Sequence, residues 1–236
     1  MASIEVSEAK GVRYLHFGSP WVQGAMRIAR PSALELEYTR QLMMPLLLHD
    51  ARWPSSVLQV GLGAGSITRF LHRHRPSARL TVVEISPEVV AIARRHFRLP
   101  EESERLHIVV AEGHEHLAGL ARRFDFIVVD AFDSRGRSGM LDSVPFYLNC
   151  RARLRPGGIV AFNLLTRSRG AAPALSRIRE AFGERVMPLP ITEAGNLVVL
   201  AGADLPVAES RDELAAAAAR LKSDTGLDLL PTVARL

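Results

Sequence analysis

Residues 57–65 read Val-Leu-Gln-Val-Gly-Leu-Gly-Ala-Gly, an apolar run followed at once by three alternating glycines. The run has the length and composition of a buried strand, and from Ser66 onward the apolar residues recur at helical spacing. Glycines between a strand and a helix let the backbone turn sharply and approach a ligand with no Cβ in the way. The stretch therefore predicts a strand, loop and helix unit that binds an adenosine-containing cofactor.

An acidic residue closes the next apolar run. Glu84 follows Gly65 by 84 − 65 = 19 positions, the spacing at which a βαβ unit brings a carboxylate from its second strand to a ribose diol. A nicotinamide or flavin fingerprint would need glycine at position 66, where this chain has Ser66. The loop thus favours an S-adenosyl sulfonium cofactor, which has no pyrophosphate to cradle. The residues predicted to bind it are Gly61, Gly63, Gly65 and Glu84.

Strand-like runs alternate with helical patterns through the middle of the chain, which indicates a parallel sheet covered on both faces. A short glycine-containing loop at 192–195 predicts a final hairpin, whose last strand would be antiparallel. We predict an α/β fold with a doubly wound, mostly parallel, Rossmann-like sheet of seven strands. Its strands are Val57–Val60, Leu80–Val83, His107–Val110, Phe126–Val129, Ile159–Asn163, Arg185–Leu189 and Asn196–Ala201.

Three regions are expected along the chain: a small N-terminal β region over residues 1–31, a donor-binding Rossmann-like domain over 32–203, and a C-terminal helical tail over 204–236 packed on it. The N-terminal region has strand patterns with turn signals between them, the last at Met26–Ile28. A helix is predicted from Ser32 to about His49, with a kink at Pro45.

Composition limits the classes of protein to consider. At 236 residues and 47% hydrophobic the chain can bury a full core, which excludes an intrinsically disordered protein. It has no run of about 18 apolar residues and no signal-like leader, so we expect no membrane partner. The single Cys150 excludes an internal disulfide and a cysteine-cluster metal site. A cytoplasmic protein is expected.

The chain is basic, with 30 lysines and arginines against 25 acidic residues. Nearly all of the basic residues are arginine, and they cluster on predicted helices and at their ends. Such runs are typical of solvated helix faces rather than of a nucleic-acid footprint, so we expect no nucleic-acid partner. One such run is Arg69, Arg73, Arg75 and Arg79.

Two carboxylates follow the fourth predicted strand of the sheet. In a doubly wound sheet, ligands bind at the carboxyl ends of the strands where the strand order reverses. This rule places Asp130 and Asp133 beside the glycine loop, facing the reactive end of the cofactor. Helix capping or a salt bridge to an arginine is the alternative interpretation of each.

The third strand ends in Glu112, where a carboxylate is able to hydrogen-bond an exocyclic adenine amine. His114 and His116 follow, but residues two apart on a helix do not share a face, so one ion would not take both. We predict no metal site.

These residues resemble the spermidine synthase-like aminopropyltransferases, which share the class I methyltransferase fold. The resemblance runs from about residue 22 to 162. Tyr38 and the doubled aspartate distinguish it from other S-adenosylmethionine (AdoMet) enzymes. The matching motifs are Gln23, Tyr38, the glycine loop, residues 83–90, Glu112-Gly113, Asp130 to Asp133, Phe146-Tyr147 and residues 154–158.

The resemblance implies aminopropyl transfer from decarboxylated AdoMet to a diamine such as putrescine. By this resemblance Glu84 binds the ribose, Glu112 and Gly113 bind the adenine, and Gln23 is a further donor-binding residue. Asp130 would accept a proton from the attacking amine. Asp133 and Tyr38 would hold the cationic polyamine.

A homodimer is expected on other grounds, because the predicted N-terminal strands and the Ala-rich C-terminal helix offer edges and faces that a monomer would leave exposed.

Departures from the family pattern leave two other functions open. The family has an aspartate in the glycine loop that pairs with the donor's amino group, where this chain has Ala64. Arg135 and Arg137 place positive charge where a cationic acceptor would approach. Methyl transfer from AdoMet is therefore one alternative, and a catalytically inactive binding module is the other.

Overall fold

Two β-sheets organise the described residues, which are 3–18, 21–132, 136–166, 171–204 and 210–236 of this computed structural model. The smaller sheet is antiparallel and consists of β1 (Ile4–Ala9), β2 (Val12–Phe17) and β3 (Val22–Arg27). The larger sheet has seven strands in these ranges: β4 (Ser56–Val60), β5 (Arg79–Glu84), β6 (Leu106–Val110), β7 (Phe124–Val129), β8 (Leu154–Leu165), β9 (Val186–Pro188) and β10 (Asn196–Gly202).

The strand order of the larger sheet is β6-β5-β4-β7-β8-β10-β9. Strands β4 to β8 are parallel to one another, whereas β10 runs antiparallel to both β8 and β9. The chain moves outward from β4 to β6 and then returns to begin again at β7, so the order reverses between β4 and β7. The predicted doubly wound sheet is confirmed, and so is its antiparallel last strand.

Alternate residues of the central strands enter two apolar layers, one on each face of the sheet. On β7, Phe126 belongs to one buried cluster and Ile127 to the other. Full burial of such a side chain stabilises the fold by about 1.5–3 kcal/mol. One face is covered by α1 (Glu37–Gln41), α2 (Ser66–His74), α3 (Pro87–His96), α7 (Arg211–Thr225) and α8 (Leu230–Val233), and the other by α4 (Gly113–Gly119), α5 (Val144–Ala152) and α6 (Ala172–Phe182).

Helix starts follow local sequence signals. Ser86 accepts a hydrogen bond from the backbone N–H of Val89, and Pro87 occupies the first position of α3. Ser210 and Glu213 form a complete capping box at the start of α7. By contrast, α2 begins after the left-handed Gly65 with no side-chain cap, and its first turn lies next to the glycine loop.

The predicted helix from Ser32 to His49 is wrong in extent. Only α1 is α-helical there, and it is followed by a 3₁₀ turn over Met44–Leu47. Pro45 lies in that turn and has no N–H to continue an α-helical ladder, which explains the early end. The third N-terminal strand is also longer and earlier than predicted, since β3 replaces Met26–Ile28.

The solvated-face interpretation is wrong for two of the arginines. Arg69 and Arg75 are only 3% and 6% exposed, and both donate hydrogen bonds to backbone carbonyls. Arg73 and Arg79 are exposed as expected. Sequence periodicity cannot distinguish a guanidinium that reaches water from one that reaches buried carbonyls.

The C-terminal helices close the first face of the sheet. Leu214, Ala218 and Leu221 of α7 are buried in the same cluster as the 3₁₀ turn before β4. Among the described residues, none of the helices combines the length and the apolar character that crossing a membrane requires.

Candidate functional site

The tips of β4 and β7 meet in direct backbone contact. A Cβ atom on Gly61 would lie 2.1 Å from the carbonyl oxygen of Asp130, and Gly61 has a φ of 92°. Its N–H donates to the carbonyl of Val83 at 2.8 Å. Only glycine permits this approach, so the sequence of the loop places Asp130 beside the start of the glycine turn.

Glu84 supports the glycine loop from the tip of β5. Glu84 is 8% exposed, and its carboxylate accepts hydrogen bonds from the N–H of Leu62 at 2.9 Å and of Ser86 at 3.0 Å. One bond reaches each oxygen. Each carboxylate oxygen has a second lone pair, so the group keeps the capacity to accept two hydroxyl donors.

Glu112 and Gly113 lie at the start of α4, beyond the tip of β6. Glu112 caps this helix by accepting the N–H of Glu115 at 2.8 Å, so one of its oxygens has a structural role. A Cβ on Gly113 would lie 2.6 Å from a methyl group of Val60, which explains why the smallest residue follows Glu112.

The N-terminal sheet covers the glycine loop through β3. A Cβ on Gly63 would lie 3.5 Å from the carbonyl oxygen of Gln23, which brings Gln23 alongside the loop. Ala64 is 2% exposed and packs with Leu15, Met26 and Phe97. The side chain of Ala64 is therefore part of the contact between the loop and the N-terminal sheet.

Arg69 joins three segments around the loop. Its guanidinium donates to the carbonyls of Pro31 at 2.7 Å, Phe97 at 2.7 Å, and Ala64. Burial lowers the pKa of this guanidinium, and the three carbonyls provide the polar partners that a buried cation requires. Arg69 thus fixes the loop against the N-terminal segment and the end of α3.

Asp130 follows β7 directly and is held by two side chains from other elements. The amide Nδ2 of Asn163 donates to its Oδ1 at 2.8 Å, and the hydroxyl of Tyr38 also donates to it. Burial raises the pKa of Asp130 to about 6, while the two hydrogen bonds act in the opposite direction. Burial also raises the pKa of Tyr38, so its hydroxyl stays protonated and remains a donor.

Three polar residues near Asp130 were not selected from the sequence: Asn163, Asn196 and Thr192. Asn196 Nδ2 donates to Asn163 Oδ1 at 3.0 Å, and the Asn196 N–H donates to Thr192 Oγ1 at 2.9 Å. The available signal in the sequence is an asparagine that interrupts the apolar run of β8 near the carboxyl end of the strand. The other two depend on how β10 pairs with β8.

The predicted site residues therefore gather at one edge of the sheet, with one exception. Asp133 lies outside the described residues, and so does Arg135. Within the described part of the chain, no group of three histidine, cysteine or acidic side chains is arranged to hold a metal ion.

Comparison with solved structures defines the class of fold. A probable spermidine synthase from Corynebacterium glutamicum matches with a TM-score of 0.78 at 22% identity, covering 93% of this chain and 83% of that one. Human methyltransferase-like protein 13, solved in complex with SAH, matches with a TM-score of 0.70 at 23% identity, covering 81% and 93%. The predicted class I methyltransferase fold is confirmed.

Comparison of sequences defines the family. The family model for the spermine/spermidine synthase domain matches residues 35–164. A polyamine aminopropyltransferase of Neisseria meningitidis serogroup A is 36% identical over 225 residues, which cover 95% of this chain and 85% of that protein. One of Chromobacterium violaceum is 34% identical over 236 residues, covering 100% and 90%. The chain belongs to the spermine/spermidine synthase family, which confirms the resemblance found in the sequence.

Proposed function

We propose that the protein is a polyamine aminopropyltransferase, which moves the aminopropyl group of decarboxylated AdoMet to a diamine such as putrescine. Family membership and the names of the relatives support this function. The observation that carries it is Asp130, a carboxylate beside the glycine loop whose pKa is about 6. Such a group is ionised at neutral pH and is basic enough to accept a proton.

Donor binding is assigned to the glycine loop and the acidic residues around it. The ribose diol fits Glu84, because each carboxylate oxygen accepts one backbone N–H and keeps one lone pair for a hydroxyl. The adenine is assigned to Glu112 and Gly113. The other proposed donor-binding residues are Gln23, Gly61, Gly63 and Gly65.

Asp130 has a defined part in the transfer. A primary amine is protonated at neutral pH and becomes a nucleophile only when a proton leaves. Asp130 attracts the ammonium and accepts its proton as the nitrogen attacks the carbon beside the sulfonium. The new C–N bond forms as the C–S bond breaks, and methylthioadenosine leaves as a neutral thioether. Because the sulfonium is already an activated leaving group, the proposal includes no metal ion.

Acceptor binding is assigned to Tyr38 and Asp133. Tyr38 supports this role because its hydroxyl is hydrogen-bonded to Asp130. A diamine has two ammonium groups, so a second carboxylate at position 133 would attract the end that does not react.

The alternatives differ in the donor that they require. Methyl transfer would use AdoMet itself, and an inactive module would bind a nucleoside without turnover. Ala64 does not favour AdoMet, since its side chain is 2% exposed and packs against the N-terminal sheet. Its identity therefore does not choose between a donor with a carboxylate and a donor without one.

Donor choice tests the proposal. Calorimetry with AdoMet, decarboxylated AdoMet and methylthioadenosine would rank their affinities, and putrescine would then be assayed with the preferred donor. We expect preference for decarboxylated AdoMet and equal amounts of spermidine and methylthioadenosine. Tight AdoMet binding without aminopropyl transfer would contradict the proposal, and binding of neither donor would contradict both enzyme functions.

The proposal also includes a cytoplasmic location and a homodimer. Cys150 is free and buried, as expected for a protein from a compartment that keeps thiols reduced. In the described residues β1 is paired along one edge with β2, and an exposed strand edge favours pairing with a second chain. Light scattering during gel filtration would measure the assembly, and a monomer across the working concentration range would contradict the dimer.

A further inference from the structure

A short hydrogen-bonded chain leads from the hairpin loop before β10 to Asp130. Thr192 and Asn196 face each other across this loop, since the N–H of Thr192 donates to the carbonyl of Asn196 at 2.9 Å. The N–H of Asn196 in turn donates to Thr192 Oγ1 at 2.9 Å. A backbone N–H acts only as a donor, so the Thr192 oxygen is the acceptor and its own proton is available for another partner.

Strand register brings the next two members together. In the antiparallel pair of β10 with β8, Asn163 lies opposite Val198, two residues beyond Asn196. Asn163 and Asn196 are therefore diagonal neighbours on one face of the sheet. These two residues are 5% and 6% exposed, and Thr192 is 3% exposed. Hydrogen bonds in such an enclosed place are strong, and unpaired groups there are costly.

Both ends of this series of hydrogen bonds require the same orientation of the Asn163 and Asn196 side-chain amides. At one end, ionised Asp130 only accepts, so Asn163 turns its NH₂ toward it, at 2.8 Å. The Asn163 oxygen then faces Asn196, whose NH₂ donates at 3.0 Å. The remaining Asn196 oxygen lies 3.4 Å from the Thr192 hydroxyl, which has its proton free. This agreement fixes which way each amide points.

We propose that Asn196, oriented by Thr192, is a positioning residue that directs an N–H of Asn163 onto the Asp130 base without touching it. The inference rests on the proposed function, in which Asp130 accepts the proton of the amine. Three groups from other elements face Asp130 among the described residues: Asn163 of β8, Tyr38 of α1 and the backbone of Gly61 after β4. Of these, Asn163 is the group whose side chain is hydrogen-bonded to a residue of β10, Asn196.

Through Asn163, Asn196 would therefore affect the pKa of Asp130. A donor on the carboxylate favours its charged form and opposes the effect of burial. If Asn196 is removed, the Asn163 amide is free to turn and present its oxygen to the carboxylate instead. That oxygen repels the anion and accepts a proton from the neutral acid, so the pKa of Asp130 rises.

The test compares Asn196→Ala, Thr192→Val and Thr192→Ser by two readouts. The first is the pH profile of kcat/KM. The second is the titration of the Asp130 carboxyl by ¹³C NMR in protein without substrates, assigned with Asp130→Asn. We expect Asn196→Ala to move both midpoints upward by about 0.5–1 pH unit, a change of roughly 3–10-fold in rate on the acidic limb that disappears well above the new midpoint. Thr192→Val should move them less, and Thr192→Ser should restore them.

The controls separate positioning from general loss of structure. Thr232, 5% exposed in α8, gives a matched buried Thr→Val substitution, which should leave both midpoints unchanged. Unshifted midpoints in folded Asn196→Ala, or equal shifts in Thr192→Val and Thr192→Ser, would overturn the inference. If Asn196→Ala does not fold, the comparison of the two Thr192 variants decides. If the wild type shows no aminopropyl transfer but Asn196→Ala still shifts the NMR titration of Asp130, the positioning role stands and the proposed function is rejected.

Discussion

Gly24 and Ala64 pack so closely that a Cβ on Gly24 would lie 2.5 Å from the Cβ of Ala64. This contact joins β3 to the glycine loop, and it leaves no room for a larger residue at either position. In the sequence, Ala64 stands where the family has an aspartate that pairs with the donor's amino group. The structure gives it a second role, as the small residue that lets the N-terminal sheet cover the loop.

Restoring the family's aspartate should therefore damage the protein. We expect Ala64→Asp to lower the free energy of unfolding by at least about 3 kcal/mol, because it adds volume and places a carboxylate in an apolar contact. Gly24→Ala should cost about 1–3 kcal/mol by overpacking alone. Urea unfolding followed by circular dichroism measures both.

Gly119 supplies the control for these two substitutions. A Cβ there would meet nothing within 4 Å, so Gly119→Ala should range from no change to about 1 kcal/mol of stabilisation. An Ala64→Asp variant that is as stable as the wild type and binds decarboxylated AdoMet more tightly would show that the side chain at 64 faces the donor after all.

Loss of the Arg69 guanidinium should loosen the loop. Arg69→Met keeps much of the apolar stem but leaves the carbonyls of Pro31, Ala64 and Phe97 without their donor. Unsatisfied buried groups cost about 1–3 kcal/mol each, so we expect a loss of at least about 3 kcal/mol in urea unfolding. Arg73→Met, on the exposed face of the same helix, should change stability by no more than about 0.5 kcal/mol. Equal effects of the two substitutions would contradict the role of Arg69 in fixing the glycine loop.

The parts of this molecule that the sequence predicts well are those with local causes. Ser86 and Pro87 are adjacent and mark the start of α3. Glu84 ends an apolar run that is itself a strand. The sheet follows from alternation of such runs with helices. Because ligands bind at the carboxyl ends of strands where the strand order reverses, the sequence also predicts that Asp130 lies next to Gly61.

The parts that the sequence does not predict depend on contacts between distant segments. Arg69 has the same helical surroundings as Arg73, and only the packing of Pro31 and Phe97 around it shows that it is buried. Asn196 reaches Asn163 because β10 is antiparallel to β8 in one register. A shift by one residue would point these side chains to opposite faces.

The Glu84 carboxylate should control donor affinity. Glu84→Gln keeps one acceptor for the backbone N–H groups of Leu62 and Ser86 but replaces a charged acceptor by a neutral one. We expect donor affinity to fall by at least about tenfold, or 1.4 kcal/mol, and Glu84→Ala to lower it further. Calorimetry with the preferred donor measures the change. Glu88→Gln, exposed in the first turn of α3, should leave the affinity unaltered, and a similar loss there would point to a general charge effect.

Asp130→Asn should lower turnover without weakening donor binding. The amide cannot accept the amine's proton, so we expect kcat to fall by about 10²-fold or more while donor affinity changes little. Equal loss of donor binding in Asp130→Asn and Glu84→Gln would instead give Asp130 a structural role.

The stability of Asp130→Asn should rise although its turnover falls, and the gain should depend on pH. The folded-state pKa of Asp130 is about 6, above its ordinary 3.8. Below about pH 4 the carboxyl is protonated in both states and costs nothing. As the pH rises toward 6, the unfolded chain ionises first, so the wild type loses stability through this window. Asparagine has no such cost, and it is able to accept from Asn163 and donate to Tyr38.

We therefore expect Asp130→Asn to match the wild type near pH 4 and to be more stable by about 1–3 kcal/mol at pH 7. Urea unfolding at closely spaced pH values measures the difference, and Asp224→Asn, exposed near the end of α7, is the control that should show no such rise. A difference that is constant from pH 4 to pH 7 would mean that Asp130 ionises as readily in the folded protein as in the unfolded chain. In that case burial would not raise the pKa of Asp130 in the folded protein, and it would not account for the basicity of this carboxylate.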